Sequence, residues 1–207
     1  VFAVMVIGAC SGVGVIRGII ASAPTIDDIV ATPTGFLSTV LDANGNQTAT
    51  LVASGSNRRA VTIDEIPKNL QHAFVAIEDE RFYEHNGIDV TGIIRAGVKG
   101  VASGFHFSEG ASTITQQLLK NTVFTSWTSE SSMADKFERK FQEQYLALQL
   151  EKVVDKDWIL ENYLNAINLG QNTLGVGVAS ERYFGKDVSD LTLSECAVSV
   201  SYTHLRA

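Results

Sequence analysis

The chain has 207 residues, which is enough for one domain with a hydrophobic core of its own. Apolar residues make up 45% and charged residues 19%, which is a globular composition and excludes a disordered chain. The formal net charge of −7 argues against nucleic acid as a partner, because bulk attraction to phosphates needs a basic surface. Cys10 and Cys196 are the only cysteines and form no CxxC pattern, so the sequence supports neither a disulfide framework nor a zinc site.

The chain begins with an uncharged run, residues 1–16, made mostly of Val, Ile, Ala and Gly. It predicts part of a membrane anchor in residues 1–23, since a bilayer span needs about 20 apolar residues. Two alternatives stay open: the tripeptide A-S-A at 21–23 resembles a signal-peptide cleavage site, and Cys10 could be a lipidated cysteine. Each interpretation places the rest of the chain outside the cytoplasm.

Residues 24–61 are predicted to form a juxtamembrane connector and a β-hairpin. Two β-rich runs, Phe36–Leu41 and Thr48–Val52, flank the dipeptide Asn44-Gly45. This dipeptide is typical of a tight hairpin turn, because both residue types tolerate positive φ. The sequence therefore predicts one small hairpin near the membrane.

From Thr62 onward, apolar residues recur at helical spacing and capping signals separate the segments. Thr62 and Glu65 have the spacing of a capping box before a first helix. The later helices are predicted to start at Ser112, near Lys136, at Asp155 and after Thr192. The helix that starts at Asp155 is expected to end at Gly170, and Glu195 is the expected capping partner of the last helix. The domain is therefore predicted to be mainly helical.

The segment from Gly92 to Phe107 has a different pattern. Its apolar residues, among them Phe105, are interleaved with four glycines and with Arg95 and Lys99. Such a segment could lie on a membrane surface, or it could be an amphipathic helix packed on the core. The pattern does not choose between them.

The first candidate site runs from Glu78 to Gly87, with the sequence E-D-E-R-F-Y-E-H-N-G. On a continuous helix, Glu78, Phe82 and His85 would share one face. The aromatic ring would then partly desolvate the carboxylate, which suits a general base. The alternative is a charged helix end capped by Gly87, since acidic helix ends are common.

The second candidate site is the segment Gly110–Asn121. On a helix, Thr113, Gln117 and Lys120 would fall on one face with Gln116 at its edge. Hydroxyl, amide and ammonium donors in one stripe suit phosphate or sugar hydroxyl groups. The alternative is an ordinary solvated surface.

The third candidate site is Arg139-Lys140 with Glu143. Arg139 and Glu143 stand at i and i+4, so a plain intrahelical ion pair is the default. Leu146 and Leu150 lie on the same side, which makes this a place for a semi-buried anion site. The stripe predicted to anchor the helix comprises Phe137, Phe141, Tyr145 and Leu148.

In this order, the three segments resemble the motifs of the family 51 glycosyltransferases. These are the peptidoglycan glycosyltransferase domains of class A penicillin-binding proteins and of their monofunctional relatives. Two later stretches also fit the family, Ile159–Asn165 with Gly170, and Tyr183–Lys186 followed by Leu193–Glu195. The resemblance implies a mainly α, lysozyme-like glycosyltransferase fold with a small β-hairpin and a membrane-facing subdomain at residues 92–107.

The resemblance also implies a reaction, with lipid II as substrate and a β-1,4 glycan strand as product. Glu78 would be the general base for the acceptor hydroxyl, and Glu143 would position the donor pyrophosphate, either directly or through Mg or Mn. No organic cofactor is implied. The residues that would neutralise the leaving group are Lys120, Arg139 and Lys140, and those that would line the site are Ser112, Gln116, Gln117 and Asn121.

The same resemblance places the catalytic domain on the extracytoplasmic side of the cell membrane, behind a single-pass anchor. Its partners would be the membrane, the glycan strand and other cell-wall synthesis proteins. Residues 127–137 depart from the family pattern, being longer and Ser-rich, and Lys136 is the candidate for an expected arginine. The glycosyltransferase domain is predicted at 62–199, cut short, with an atypical tail at 200–207.

Two other functions stay open. A glycan-cleaving enzyme on the related lysozyme-like fold would also use one glutamate, but as an acid in an apolar pocket. A non-catalytic, membrane-tethered cell-wall scaffold would be preferred if Glu78 and Glu143 could be replaced without loss of function.

Overall fold

The computed structural model describes residues 2–25, 32–52, 57–104 and 110–204. Within these ranges the chain forms eight α-helices, two short 3-10 helices and one two-stranded sheet. The α-helices are α1 (Phe2–Ala21), α2 (Lys68–Glu78), α3 (Val90–Ala102), α4 (Ile114–Thr122), α5 (Met133–Leu150), α6 (Lys156–Ala166), α7 (Val176–Phe184) and α8 (Leu193–His204). The mainly helical fold with a small hairpin is therefore confirmed.

The hairpin consists of β1 (Ser38–Leu41) and β2 (Gln47–Leu51), which pair in antiparallel fashion. The Asp42 carboxylate closes the connecting loop by accepting hydrogen bonds from the backbone nitrogens of Asn44 and Asn46, both at 2.8 Å. Gly45 adopts a φ of +84°, the backbone conformation that favours glycine. Every strand residue is exposed, so the hairpin stands outside the core.

The core lies between α2, α4, α5, α6 and α8. The first four of these helices contribute buried leucines, and α8 contributes Cys196 and Val200. Phe74 of α2 meets Tyr163 of α6 edge to face, with 6.2 Å between the ring centroids. The predicted apolar stripe of α6 is confirmed, because Leu160, Tyr163, Leu164 and Ile167 are all buried. Asp155 caps α6 as predicted, accepting from the Trp158 nitrogen at 2.8 Å.

Two predicted helix boundaries are wrong, and each error has a non-local cause. Helix α4 is capped by Thr113 and not by Ser112. Helix α6 ends at Ala166 and does not continue to Gly170. The last carbonyl groups of α6 accept hydrogen bonds from the buried guanidinium of Arg58, at 2.8 Å for Asn165 O and 3.3 Å for Ala166 O.

The other predicted capping contacts are made. The Glu65 carboxylate accepts from the Thr62 nitrogen at 2.6 Å, although α2 begins only after Pro67. Glu195 accepts from the Thr192 nitrogen at 2.8 Å, which is the expected contact at the start of α8.

Helix α5 buries a different face from the one that the sequence predicts. Phe137 is 57% exposed and Leu148 is 39% exposed, so these two members of the predicted apolar stripe do not anchor the helix, whereas Tyr145 is partly buried against the core. The buried residues of α5 are Gln142, Glu143, Leu146, Ala147 and Leu150. The helix therefore turns its ionic residues toward α4, and α1 covers the neighbouring side, where Gln142 donates to Ile19 O at 3.3 Å.

Helix α3 leaves its large apolar residues in solvent. Only Gly92 and Gly100 of this helix are buried, while Ile94, Val98 and Val101 are between 60% and 65% exposed. The core-packed alternative for this segment is therefore wrong over the described residues. The membrane-surface alternative stays a prediction, and Phe105 and Phe107 lie outside the described residues.

Over the part of the chain that the structure describes, none of the helices is both long enough and apolar enough to cross a bilayer. The anchor at 1–23 and the other domain boundaries stay predictions.

We expect Gly87→Ala to destabilise the fold by about 2 to 5 kcal/mol. Gly87 has a φ of +90°, and an added Cβ would lie 2.6 Å from the carbonyl carbon and oxygen of Ala147, so α5 would have to move. Gly45→Ala is the matched control, because it has a similar φ of +84° and open space around the Cβ position. Urea unfolding should give a clearly smaller loss for Gly45→Ala, and equal losses would contradict the close approach at Gly87.

Candidate active site

Glu78 is the last residue of α2, and its side chain is half-buried. Gln117 of α4 donates to one carboxylate oxygen at 3.0 Å, and Thr203 donates to the other at 3.1 Å. Thr203 belongs to the segment predicted to be an atypical tail, so we assign it no catalytic role. The position of Glu78 is instead defined by the contact between α2 and α4.

The predicted helical face shared by Glu78, Phe82 and His85 is wrong. The helix ends at Glu78, and the next residue, Asp79, has an extended φ of −161°. Turns follow up to residue 87, and Phe82 is fully buried in the core. The aromatic ring is thus part of the hydrophobic core below the turn.

Asp79 connects the first candidate segment with the second. Its buried carboxylate accepts from the backbone nitrogen of Ile114 at 2.9 Å and pairs with His85 Nε2 at 2.9 and 3.0 Å. The Thr113 hydroxyl adds a second link, since it donates to the Gly87 carbonyl at 2.8 Å. The end of α2 and the start of α4 are therefore held side by side.

A cleft of about 120 Å³ opens where these two segments meet. Glu78 lines it on one side, and the stretch from Gly110 to Thr113 lines it on the other. Two arginines, Arg81 and Arg95, complete the rim, and the sequence analysis did not single them out as site residues. Arg81 pairs with Asp89 at 2.6 Å, and Arg95 pairs with Glu80 at 2.7 Å.

The third candidate segment reaches this cleft through Ser112. Lys140 Nζ donates to the Ser112 hydroxyl at 2.7 Å and to Glu143 at 2.8 Å. Glu143 is fully buried, and its other oxygen accepts from Arg139, which confirms the predicted ion pair. Arg139 Nε also donates to both oxygens of Glu130 at 2.9 Å.

Electrostatics tie Lys120 to both sides of the site. Burial lowers the pKa of Lys120, and the positive charges of Lys140 and Arg139 lower it further, while Glu143 and Glu78 oppose the shift. The negative charges of both glutamates therefore act on Lys120. Its ammonium lies 4.6 Å from the centroid of the Trp127 ring, a cation–π contact.

Arg139 keeps its positive charge in this environment. Burial alone would lower the pKa of Arg139, but the hydrogen bond with Glu130 and the negative charge of Glu143 outweigh burial and raise the pKa. The same ion pairs fix the guanidinium between Glu130 and Glu143.

Most of the sequence-predicted residues come together, and Gln116 and Lys136 are two exceptions. Gln117 contacts Glu78, and Asn121 lies half-buried on the last turn of α4. Gln116, however, is buried, and its amide nitrogen donates inward to the Gly87 carbonyl at 3.4 Å. Lys136 is exposed on the first turn of α5. The roles given to Gln116 and Lys136 stay predictions.

Sequence reasoning also missed Trp127 and Glu130. Both lie in the Ser-rich segment that departs from the family pattern, so no motif draws attention to them. Their contacts with Lys120 and Arg139 cross from one element to another and leave no local signal in the sequence.

The described residues contain no cluster of three or more His, Cys, Asp or Glu side chains that could hold a metal ion. Glu143, the carboxylate that the resemblance linked to a metal, instead pairs with Arg139 and Lys140. Its carboxylate is already neutralised by these side chains.

The chain is similar to several penicillin-binding proteins. It is 46% identical to penicillin-binding protein 1A of Clostridium perfringens strain 13 over 195 residues, which is 92% of this chain and 28% of the relative. It is 44% identical to penicillin-binding protein 1A of Clostridium novyi strain NT, over 90% of this chain and 22% of the relative. It is 45% identical to penicillin-binding protein 1F of Bacillus subtilis strain 168, over 78% of this chain and 21% of the relative.

The chain thus spans about a quarter of the length of these curated relatives. The family described as Transglycosylase matches residues 44–204, a range that includes the hairpin turn, the three candidate segments and all helices from α2 to α8. With this match and its mainly helical, lysozyme-like fold, the chain belongs to the transglycosylase family, glycosyltransferase family 51.

Proposed function

We propose that the chain is a peptidoglycan glycosyltransferase that polymerises lipid II into β-1,4 glycan strands. The observation that carries this proposal is one continuous site. Glu78 and Ser112 line the same cleft, and Ser112 accepts a hydrogen bond from Lys140. Lys140 also pairs with Glu143, and Glu143 pairs with Arg139. In this proposal, the base for one sugar lies in the cleft, and the cations for the other sugar's leaving group adjoin it through Ser112.

In the proposed reaction, Glu78 takes the proton from the acceptor hydroxyl while the hydroxyl oxygen attacks the anomeric carbon of the donor sugar. Gln117 donates to the carboxylate at 3.0 Å and orients it. A positioned carboxylate of this kind contributes about 10²- to 10⁴-fold to the rate.

As the new bond forms, the bond between the anomeric carbon and the lipid diphosphate breaks, and its electron pair leaves with the diphosphate oxygen. Attack from the face opposite the leaving group inverts the anomeric carbon. Lys120, Arg139 and Lys140 stabilise the developing negative charge, which preorganised cations do most effectively in a site with little water. Ser112 aligns Lys140, and Asn121 lies on the same helix as Lys120.

Glu143 orients the cations and has no direct part in proton transfer in this proposal. Its buried carboxylate fixes Arg139 and Lys140 on α5, within one turn of each other. Since two cations already occupy it, the residues present do not fit a divalent metal held by the protein at this position. No step is therefore routed through a metal.

We also propose that the domain works against the outer face of the cell membrane, with the N-terminal segment as its anchor and other cell-wall synthesis proteins as partners. The lipid part of the substrate requires an apolar surface close to the cleft. The exposed apolar residues of α3 support this placement, because Arg95 of the same helix lines the cleft rim.

We expect Glu78→Gln to reduce polymerisation of lipid II by about 10²-fold or more, because the amide cannot accept the proton. Gel analysis of glycan products from vesicles containing lipid II measures this. Glu84→Gln is the matched control, an exposed glutamate in the same motif, and should retain activity. Substantial polymer formation by a folded Glu78→Gln chain would remove Glu78 from the proposed role.

We expect Lys140→Ala to weaken binding of inorganic pyrophosphate about tenfold, because it removes a positive charge that would attract the anion. The Lys140 ammonium lies 2.7 Å from Ser112, which lines the cleft, and 2.8 Å from Glu143. Calorimetric titration gives the affinity, and thermal unfolding gives the stability of the same variant. Lys152→Ala, which removes an exposed lysine, serves as the control. An unchanged affinity with Lys140→Ala would count against the anion site.

A further inference from the structure

The cations assigned to the leaving diphosphate are all occupied by groups of the protein itself. Lys140 binds Glu143 and Ser112, Arg139 binds Glu143 and Glu130, and Lys120 faces the Trp127 ring. These contacts differ in how easily they can be exchanged. Glu143 is fully buried within α5, whereas Glu130 and Trp127 lie outside the regular helices that form the core.

Glu130 and Trp127 belong to one short segment. It is a 3-10 helix, Thr125–Ser129, followed directly by Glu130, and it packs against α4. Arg139 and Lys120 lie on two different helices, α5 and α4. The segment therefore bridges these helices at the place where the proposed diphosphate would bind.

We propose that Glu130 and Trp127 are positioning residues that act as an internal stand-in for the diphosphate. This inference rests on the proposed function. With no donor bound, they hold Arg139 and Lys120 in place; when the donor enters, its diphosphate replaces Glu130 on Arg139 and shares Lys120 with the Trp127 ring.

The geometry of the Glu130 contact supports the exchange. Arg139 Nε donates to both carboxylate oxygens at 2.9 Å, an arrangement that a phosphate group with paired oxygens can reproduce. A diphosphate also carries more negative charge than one carboxylate. It can therefore compete for Arg139, provided that the Glu130 side chain can move away.

The Trp127 contact supports it in a different way. The face of an indole ring attracts an ammonium group without neutralising its charge. Lys120 is thus kept in position, partly screened from water, and remains attractive to an anion. Held in this way, Lys120 needs little rearrangement when the donor arrives.

The decisive measurement is calorimetric titration of the full chain with inorganic pyrophosphate. Glu130→Gln removes the competing charge, so it should bind pyrophosphate about tenfold more tightly than the unmodified chain. A residue with a merely structural role would instead leave affinity unchanged or weaken it. Glu138→Gln is the matched control, since it removes the same charge one residue before Arg139, from an exposed side chain that contacts Ser22.

The second measurement is tryptophan fluorescence during the same titration, and it does not depend on the folding of a Glu130 variant. The chain has only two tryptophans, Trp127 and Trp158. Saturating pyrophosphate should change the emission of the unmodified chain and of Trp158→Phe, but not that of Trp127→Phe. Binding detected by calorimetry without a change in Trp127 emission would overturn the part of the inference that concerns Trp127.

The outcomes separate this inference from the proposed function. Equal affinity of the unmodified chain and a folded Glu130→Gln for pyrophosphate overturns the stand-in, while the anion site survives. Failure of every variant to bind pyrophosphate overturns both the stand-in and the anion site. Tighter binding by Glu130→Gln, together with weaker binding by Lys140→Ala, supports both.

Discussion

The buried carboxylate of Asp79 is the contact on which the site depends. It accepts a hydrogen bond from the first residue of α4, Ile114, and it pairs with His85 from the following turn. A carboxylate at a helix N-terminus is favoured by the helix dipole and by the unpaired backbone N–H groups there. Leaving a buried carboxylate without its hydrogen-bond partners is costly. The end of α2 is therefore fixed against the start of α4, and Glu78, one residue earlier, lies beside Gln117.

The cluster of positive charges that reaches the cleft through Ser112 is an electrostatic compromise. Lys120, Arg139 and Lys140 repel one another, and this repulsion is part of what lowers the pKa of Lys120 after burial itself. Glu143 and Glu130 compensate for two of these three charges and leave an excess of one positive charge among the five groups. In the proposed reaction, this excess positive charge would attract the departing diphosphate.

What could be predicted from the sequence was governed by local interactions. The hairpin followed from Asn44-Gly45, the buried stripe of α6 from its apolar spacing, and the Arg139–Glu143 pair from its separation by four residues. Each of these depends on neighbours along the chain, where period and propensity are informative. The order of the motifs then identified the family, which no single segment did.

The errors arose where distant contacts override local preference. Helix α2 stops at Glu78 because Asp79 binds Ile114, which lies 35 residues away. By residue type Ser112 is the better cap, and the choice of Thr113 depends on its bond to Gly87. On α5, hydrophobicity alone predicted the wrong face, because a charged residue, Glu143, is buried in the site while Phe137 is left in solvent.

Helix α3 shows how the site and the exposed apolar surface are connected. Among the described elements no other helix packs extensively on α3, and only two of its glycines are buried. Two ion pairs at the cleft rim attach it to the preceding turn, Arg81 with Asp89 and Arg95 with Glu80. The side chains that would meet lipid therefore sit on a helix joined to the turn that directly follows Glu78. A substrate with a lipid tail and a sugar headgroup needs both surfaces next to each other, so the weak packing of α3 on the core is what we expect if a membrane completes its surroundings.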